Sequence, residues 1–228
     1  MNTFFEGRGS DSPYIEAVWR GGAGREYAPV CPASSQWHLL FLKKHGKVHV
    51  SVQGPLTRAT PVAQPEGTEW LGVTFPLGTF LPFLSIKSFL DEQAALPLAA
   101  ETSFHLAGSS WHIPDYENVE TFIERLVRRN VLISDPVVKA VLAHQPVEMS
   151  LRTVRRRFVL ATGLPYKTIA QIERAKQAAA LLEQGVSLID AAYQAGYADQ
   201  SHMTRALKHL IGYTPALLAH AGNEGMLR

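Results

Sequence analysis

Hydrophobic and polar positions alternate with a period of two in the first hundred residues. Val48, Val50 and Val52 are separated by polar residues, which is the pattern of a half-buried strand. The apolar run at 37–42 precedes them across a segment rich in lysine, which predicts a β-hairpin. Further β-rich runs, interrupted by prolines and glycines, lie at 14–20, 26–30 and 69–75. Short strands that are interrupted by prolines and glycines predict a small antiparallel barrel or sandwich.

The hydrophobic period changes to that of a helix after Pro114. Apolar residues at helical spacing predict an amphipathic helix at 117–130. The segment Ser134-Asp135-Pro136 then places a capping residue before a proline, which is typical of a helix start. We therefore expect an α+β protein with a β-rich domain at 1–130 and an all-α domain at 131–228.

Four arginines occupy one predicted helix of the C-terminal region. Ser150 is expected to cap this helix, which runs to about Thr162 before Gly163 ends it. Leu151 and Phe158 belong to its predicted inward stripe, and the helix contains no acidic residue. The planar fork of arginine can donate two hydrogen bonds to O6 and N7 of guanine, so the helix is a candidate reader of the major groove. The alternative is a solvated charged face. The arginines are Arg152, Arg155, Arg156 and Arg157.

The same layout recurs closer to the C-terminus. Ser187 starts a short helix, and Gly196 follows where a helix-turn-helix needs a glycine to turn. Asp199 is expected to cap a second helix. Glutamine, serine and arginine near the N-terminus of a helix are the side chains with which a protein reads the major groove. The outer face of this helix carries Gln200, Ser201 and Arg205.

A long helix is predicted between the two basic helices, at 166–184. At about 1.5 Å per residue its length is roughly 28 Å. Successive major-groove faces of B-DNA are separated by about 34 Å. A stiff connector of this length could present both basic helices to one side of a duplex.

Six stretches of this region together resemble a known family. They are Ser150-Leu-Arg-Thr-Val-Arg-Arg-Arg-Phe158, Ala161-Thr-Gly-Leu164, Leu181-Leu182, Ser187-Leu-Ile-Asp-Ala-Ala-Tyr-Gln-Ala-Gly-Tyr197, Asp199-Gln-Ser-His-Met-Thr-Arg-Ala-Leu-Lys208 and Gly212-Tyr-Thr-Pro215. The region is similar to the DNA-binding domain of the AraC/XylS family of bacterial transcription regulators. The resemblance covers about a third of the chain. The sequence departs from the family pattern in its first turn, which has no glycine, and at Met203 and Leu207, which replace aromatic residues.

The resemblance implies a sequence-specific DNA-binding transcription regulator, with two helix-turn-helix units joined by a long helix, and no enzymatic activity. The β-rich domain would then be a cupin-like sensor or dimerisation domain of a subgroup with an unknown effector. The implied partners are double-stranded promoter DNA, RNA polymerase, a small-molecule effector and a second copy of the chain. The implied base-reading residues are Arg152, Arg155, Arg156, Gln200, Ser201 and Arg205. Contacts to phosphates are expected from Thr153, Arg157, Lys167, Thr204 and Lys208.

The charge distribution agrees with DNA binding by the C-terminal region alone. The net charge of +2 divides into −2 over residues 1–133 and +4 over residues 134–228. Apolar runs fall far short of the roughly 20 residues of a membrane span, and no secretory signal is visible, so we expect a cytoplasmic protein. The single cysteine, Cys31, excludes an internal disulfide.

The competing hypothesis is a cupin-like enzyme or small-molecule-binding protein with an appended helical domain. A metal-binding cupin needs a His-x-His pair with a nearby glutamate, whereas His45 and His49 are four residues apart. No Gly-x-Ser-x-Gly motif of a hydrolase is present. We therefore expect no metal, no cofactor and no catalytic residues.

Overall fold

The computed structural model describes residues 3–26 and 28–224. Its chain divides into two compact units, each built from more than one stretch of sequence. The first, the sheet unit, comprises Met1–Ala28, Gln36–Pro55 and Ala63–Pro165. The second, the helical unit, comprises Pro29–Ser35, Leu56–Val62 and Tyr166–Arg228. The domain boundary after residue 130 stays a prediction.

The secondary structure confirms a β-rich region followed by a helical one. The strands are β1 (Phe4–Arg8), β2 (Ala17–Gly22), β3 (Val30–Cys31), β4 (His38–Lys44), β5 (Lys47–Gln53), β6 (Thr60–Pro61), β7 (Thr68–Thr74), β8 (Thr79–Phe80), β9 (Gln93–Leu96), β10 (Leu98–Ala100), β11 (Ser103–Leu106), β12 (Ser109–His112) and β13 (Ile133–Ser134). The α-helices are α1 (Val119–Arg128), α2 (Pro136–Leu142), α3 (Leu151–Thr162), α4 (Tyr166–Glu183), α5 (Leu188–Gln194), α6 (Gln200–Leu210) and α7 (Pro215–Glu224). A 3-10 turn covers Ile86–Phe89.

The predicted hairpin is formed by β4 and β5, which are neighbours in the main sheet. Its turn consists of His45 and Gly46, which have φ angles of 48° and 75°. Two consecutive residues with positive φ are what a tight hairpin turn requires, because this twist matches that of the flanking strands. The register runs from His38 opposite Gln53 to Lys44 opposite Lys47.

The main sheet has six antiparallel strands in the order β1-β2-β7-β4-β5-β9. β1 and β9 are its edges, so the described strands do not close a barrel, and the cupin-like barrel was a wrong expectation. The physical reason lies at Pro97. Proline has no N–H with which to continue a ladder. The chain therefore leaves β9 and enters a separate three-stranded sheet, β10-β11-β12. The result is two separate sheets, which is close to the predicted sandwich.

An aromatic cluster fills the space between the two sheets and α1. The ring of Phe41 on β4 lies 5.8 Å from Phe104 on β11 and 6.2 Å from Phe122 on α1. Trp111 meets Phe122 edge to face at 6.1 Å. All four side chains are buried. The predicted amphipathic helix thus directs its apolar face into the core of the sheet unit.

An ion pair fixes α1 to the first strand. Arg8 of β1 donates hydrogen bonds to the carboxylate of Glu120 and to the backbone carbonyl of Tyr116. The Arg8 guanidinium holds the pKa of Glu120 below its usual range. The guanidinium of Arg8 also lies over the ring of Tyr116.

The helical unit is built around α4. Ile169, Ile172, Ala179 and Leu182 are buried along this helix, as the sequence predicts. The helix α4 packs against α5, α6 and α7. Within the described residues, no helix has the length and apolar character needed to cross a membrane.

Candidate nucleic-acid interface

The first basic helix, α3, has the ends that its sequence predicts. The Oγ atom of Ser150 accepts a hydrogen bond from the backbone N–H of Thr153 at 3.2 Å. Gly163 ends the helix with a φ angle of 77°. A Cβ atom at Gly163 would lie 3.0 Å from Cγ2 of Ile86, so the end of α3 packs on the 3-10 turn. The helix is therefore anchored at its C-terminal end.

Three of the four arginines on α3 are exposed and form a basic surface. Arg152, Arg155 and Arg156 take part in none of the ion pairs found among the described residues. All three are exposed, as is Thr153. The helix therefore presents three guanidinium groups that are free to bind an external acceptor.

Arg157 differs from its neighbours because it is paired within the protein. Its Nε atom donates to Oδ2 of Asp135 at 2.9 Å. Asp135 also accepts, through Oδ1, a hydrogen bond from the backbone N–H of Val137 at 2.8 Å, and so caps α2. The carboxylate of Asp135 is 7% exposed. One buried carboxylate thus joins the start of α2 to the middle of α3. The assignment of Arg157 to a phosphate stays a prediction.

Removal of the Asp135 carboxylate is expected to loosen the first helix pair. Asp135→Ala loses the cap of α2 and leaves Arg157 without its partner, at a cost of about 2–3 kcal/mol in the free energy of unfolding. Asp135→Asn keeps an oxygen for the cap and is expected to cost about 1 kcal/mol. Urea unfolding measures both, with Glu148→Ala as a control that removes an exposed carboxylate nearby. Equal stability of Asp135→Ala and wild type would contradict the bridging role.

The predicted inward stripe of α3 is wrong at its first residue. Leu151 is 74% exposed, whereas Phe158 and Ala161 are buried. The helix makes its buried contacts through its C-terminal half, where the 3-10 turn and β8 pack on it. The first turn of the helix extends beyond these neighbours.

After α2, where the family pattern has a glycine, a histidine adopts the left-handed backbone conformation. His144 has a φ angle of 53°, and its N–H donates to the carbonyl of Val141 at 3.1 Å. A residue in this conformation commonly ends a helix, and glycine is the usual choice. The connection from α2 to α3 then spans residues 143–150, which is longer than the turn of the second helix pair.

The second helix pair, α5 and α6, has the helix caps and the glycine turn that its sequence predicts. Ser187 Oγ accepts from the N–H of Asp190 at 3.2 Å and caps α5. Gly196 turns the chain with a φ angle of 72°. Asp199 Oδ1 accepts from the N–H of His202 at 2.7 Å and caps α6. The helix α6 buries Met203, Leu207 and Leu210.

The outer face of α6 carries the predicted polar residues near its N-terminus. Gln200, Ser201 and Arg205 are exposed, and Thr204 is half-buried. Lys208 lies one turn further on and is exposed, as is Lys167 at the start of α4. A helix with free polar side chains in its first turns and an apolar inner face can insert those side chains into the major groove.

Arg174 is a basic residue of the helical unit that the sequence patterns did not single out. Its guanidinium lies 5.6 Å from the ring centroid of Tyr197, in the turn between α5 and α6. Burial raises the pKa of the Tyr197 hydroxyl. The contact links α4 to the turn, and no local periodicity in the sequence could have indicated it.

The sheet unit contains an open groove of about 1090 Å³ between β5, β9 and the three-stranded sheet. Its lining includes the apolar residues Val48, Leu96 and Ile113 and the exposed lysines Lys43 and Lys47. Apolar walls with a few polar groups are typical of a small-molecule site.

The histidines and the cysteine were candidates for a metal site. Among the described residues, no group of three or more His, Cys, Asp or Glu side chains could hold a metal ion. His45 lies in the hairpin turn, and His49 is exposed on β5. Cys31 is half-buried on β3, and burial raises the pKa of its thiol.

Comparison with known proteins finds a helix-turn-helix domain family that matches residues 145–220. No curated protein matches the chain. Similar solved structures include ToxT from Vibrio cholerae at 11% identity, covering 95% of this chain and 98% of that one with a TM-score of 0.36. Another is ToxT from Vibrio cholerae O395 at 11% identity, with coverages of 95% and 97% and a TM-score of 0.37.

Proposed function

We propose that this protein is a transcription regulator of the AraC type that binds promoter DNA sequence-specifically, since residues 145–220 match a helix-turn-helix domain family. The observation that carries the proposal is the pair of capped helices, α3 and α6. Each has an anchored apolar face and exposed polar side chains that no other described residue engages in an ion pair.

The proposed readers of base edges lie on these two helices. A guanidinium can donate two hydrogen bonds to guanine, and a glutamine can bond to adenine in the same bidentate way. Residues nearer to the edge of each interface are proposed to bind phosphates, which fixes the protein on the duplex without reading sequence. The proposed readers are Arg152, Arg155, Arg156, Gln200, Ser201 and Arg205. The proposed phosphate contacts are Thr153, Arg157, Lys167, Thr204 and Lys208.

Selection from a randomised library of double-stranded DNA tests this function against the competing hypothesis. A regulator enriches one motif with two half-sites, because it has two reading helices. A small-molecule-binding protein or an enzyme with an appended helical domain enriches none. Failure of the full chain to enrich any sequence at low salt would overturn the proposal.

The salt dependence of binding is a second expected result. If the protein neutralises about six phosphates, the slope of log Kobs against log salt concentration is about −5. The physical reason is the release of counterions from the duplex when lysines and arginines replace them. Fluorescence anisotropy of a selected duplex between about 50 and 200 mM salt measures the slope. A slope near zero would exclude phosphate contacts.

Three further partners stay predictions. The groove in the sheet unit is the proposed site of a small-molecule effector. A second copy of the chain would place a second DNA-reading region, residues 131–228, on the adjacent half-site. RNA polymerase would be contacted or blocked from the bound promoter.

A further inference from the structure

A short ribbon from the first third of the sequence belongs to the helical unit. Its strands, β3 and β6, pair antiparallel, with Cys31 opposite Thr60. Ser34 and Leu56 extend the pairing, since each N–H donates to the carbonyl of the other at 2.9 Å. Residues 29–35 and 56–62 therefore form one element, which we call the ribbon. The helix-turn-helix match at 145–220 does not include it.

The ribbon caps the C-terminal end of α6. The N–H of Ala33 donates to the carbonyl of Leu210 at 2.6 Å, and the N–H of Ala59 donates to the carbonyl of His209 at 2.9 Å. These are the last two residues of the helix. The final carbonyls of an α-helix have no partner within the helix. Here the two segments of the ribbon, 29–35 and 56–62, supply one donor each.

The ribbon also contacts the connecting helix. Ser35 Oγ donates to Oε1 of Glu173 on α4 at 3.1 Å. The same carboxylate oxygen accepts from Nζ of Lys176 at 3.1 Å. The ribbon therefore joins the end of α6 to the side of α4.

Gly212 provides the space for this close approach. It has a φ angle of 89° just after α6. A Cβ atom at Gly212 would lie 2.5 Å from Cγ1 of Val30 and 3.0 Å from Cβ of Ala59. Carbon atoms do not approach to 2.5 Å without a bond, so a Cβ atom at 212 has to push on the Val30 side chain and on Ala59 of the ribbon.

We propose that the ribbon is a positioning element of the DNA-reading region, which holds α6 by its C-terminal end. A reading helix has to place its side chains to within about 0.5 Å of their acceptors, and a rigid support is what achieves this. The residues that act are Ala33, Ala59 and Val30, none of which is among the proposed DNA contacts. The inference rests on the proposed function.

Gly212→Ala tests the proposal, with Gly185→Ala as its matched control. Both glycines have positive φ angles, 89° and 82°, so both variants carry the same kind of backbone strain. A Cβ atom at Gly185 meets nothing within 4 Å. The two variants therefore differ in whether they push on the ribbon.

Cys31 reports the position of the ribbon without any DNA. It is the single cysteine of the chain, it lies on β3 and it is half-buried. Gly212→Ala is expected to raise the rate at which 5,5′-dithiobis(2-nitrobenzoate) labels Cys31 about tenfold, because a ribbon that opens locally exposes the thiol. The rate in Gly185→Ala is expected to match that of wild type.

DNA affinity is the second measurement, made on the duplex selected by the wild-type protein. Gly212→Ala is expected to bind about tenfold more weakly, whereas Gly185→Ala binds as wild type does. Adding Val30→Ala to Gly212→Ala removes the Cγ1 atom that lies 2.5 Å from the new methyl group. This double variant is expected to regain slow labelling and most of the lost affinity.

The outcomes distinguish a failure of the ribbon's positioning role from a failure of the proposed function. If wild type binds the duplex and Gly212→Ala labels fast but binds equally well, the positioning role is wrong and the proposed function stands. Equal labelling rates in Gly212→Ala and Gly185→Ala would show that the ribbon is not displaced, which also contradicts the inference. If wild type selects no DNA, both the proposed function and the inference fail.

Discussion

Arg156→Ala and Arg205→Ala are each expected to weaken binding to the selected duplex by about 1–3 kcal/mol, or roughly 5- to 150-fold. Arg156 lies on the exposed surface of α3, and Arg205 lies on the outer face of α6. A guanidinium that donates two hydrogen bonds to one guanine leaves both acceptors unpaired when it is removed. The loss should therefore concentrate on one base pair of the site.

Single-base variants of the duplex distinguish reading from positioning. Each arginine variant is expected to lose its preference at one base pair and to keep it elsewhere.

Lys208→Ala should weaken selected and random DNA alike and reduce the salt slope by about 1. Arginine-to-lysine variants are expected to restore only part of the affinity, since an ammonium group lacks the bidentate fork.

Arg125→Ala is the matched control for these variants. Arg125 is exposed on α1, so its removal changes the net charge equally without touching α3 or α6. Its affinity should stay close to that of wild type. If Arg156→Ala and Arg205→Ala lowered affinity for every base variant by the same factor, their assignment as base readers would be wrong.

Local chemistry explains why the helices of the DNA-reading region could be predicted from sequence. Ser150 and Gly163 set the two ends of α3, and Ser187, Gly196 and Asp199 set those of the second pair. A capping side chain acts within three residues of itself, and a glycine acts on its own φ angle. Such signals are complete in a short window of sequence.

Pairings between distant residues could not be predicted in this way. The partner of Arg157 is Asp135, which lies 22 residues away on the preceding helix. The open edge at β9 depends on where the chain goes after Pro97. The ribbon joins residues near 30 and 60 to the end of α6, and two-residue strands carry no measurable periodicity. Each of these features is decided by packing rather than by propensity.

Elements of the DNA-reading region have partners on the N-terminal side of residue 130. Strand β13 pairs with β8, with Ile133 opposite Phe80. The N–H of Asp135 donates to the carbonyl of Gly78 at 2.8 Å. The ribbon contributes the two further hydrogen bonds to His209 and Leu210. At about 1 kcal/mol each, these three backbone hydrogen bonds contribute roughly 3 kcal/mol, before the apolar contacts of Ile86 and Val30 are added.

A protease site inserted at Asn130 tests whether the boundary near that residue separates independent domains. Asn130 is exposed in the turn after α1, so the insertion should be tolerated. After cleavage, the pieces 1–130 and 131–228 are expected to remain together in gel filtration and to bind the selected duplex. The separately expressed piece 131–228 lacks those partners. Its free energy of unfolding, measured by helical circular dichroism in urea, is expected to be lower than that of the cleaved protein by about 3 kcal/mol or more. Equal urea midpoints for the two samples, with equal DNA affinity, would show that 131–228 is an autonomous domain and that the ribbon contributes nothing to it.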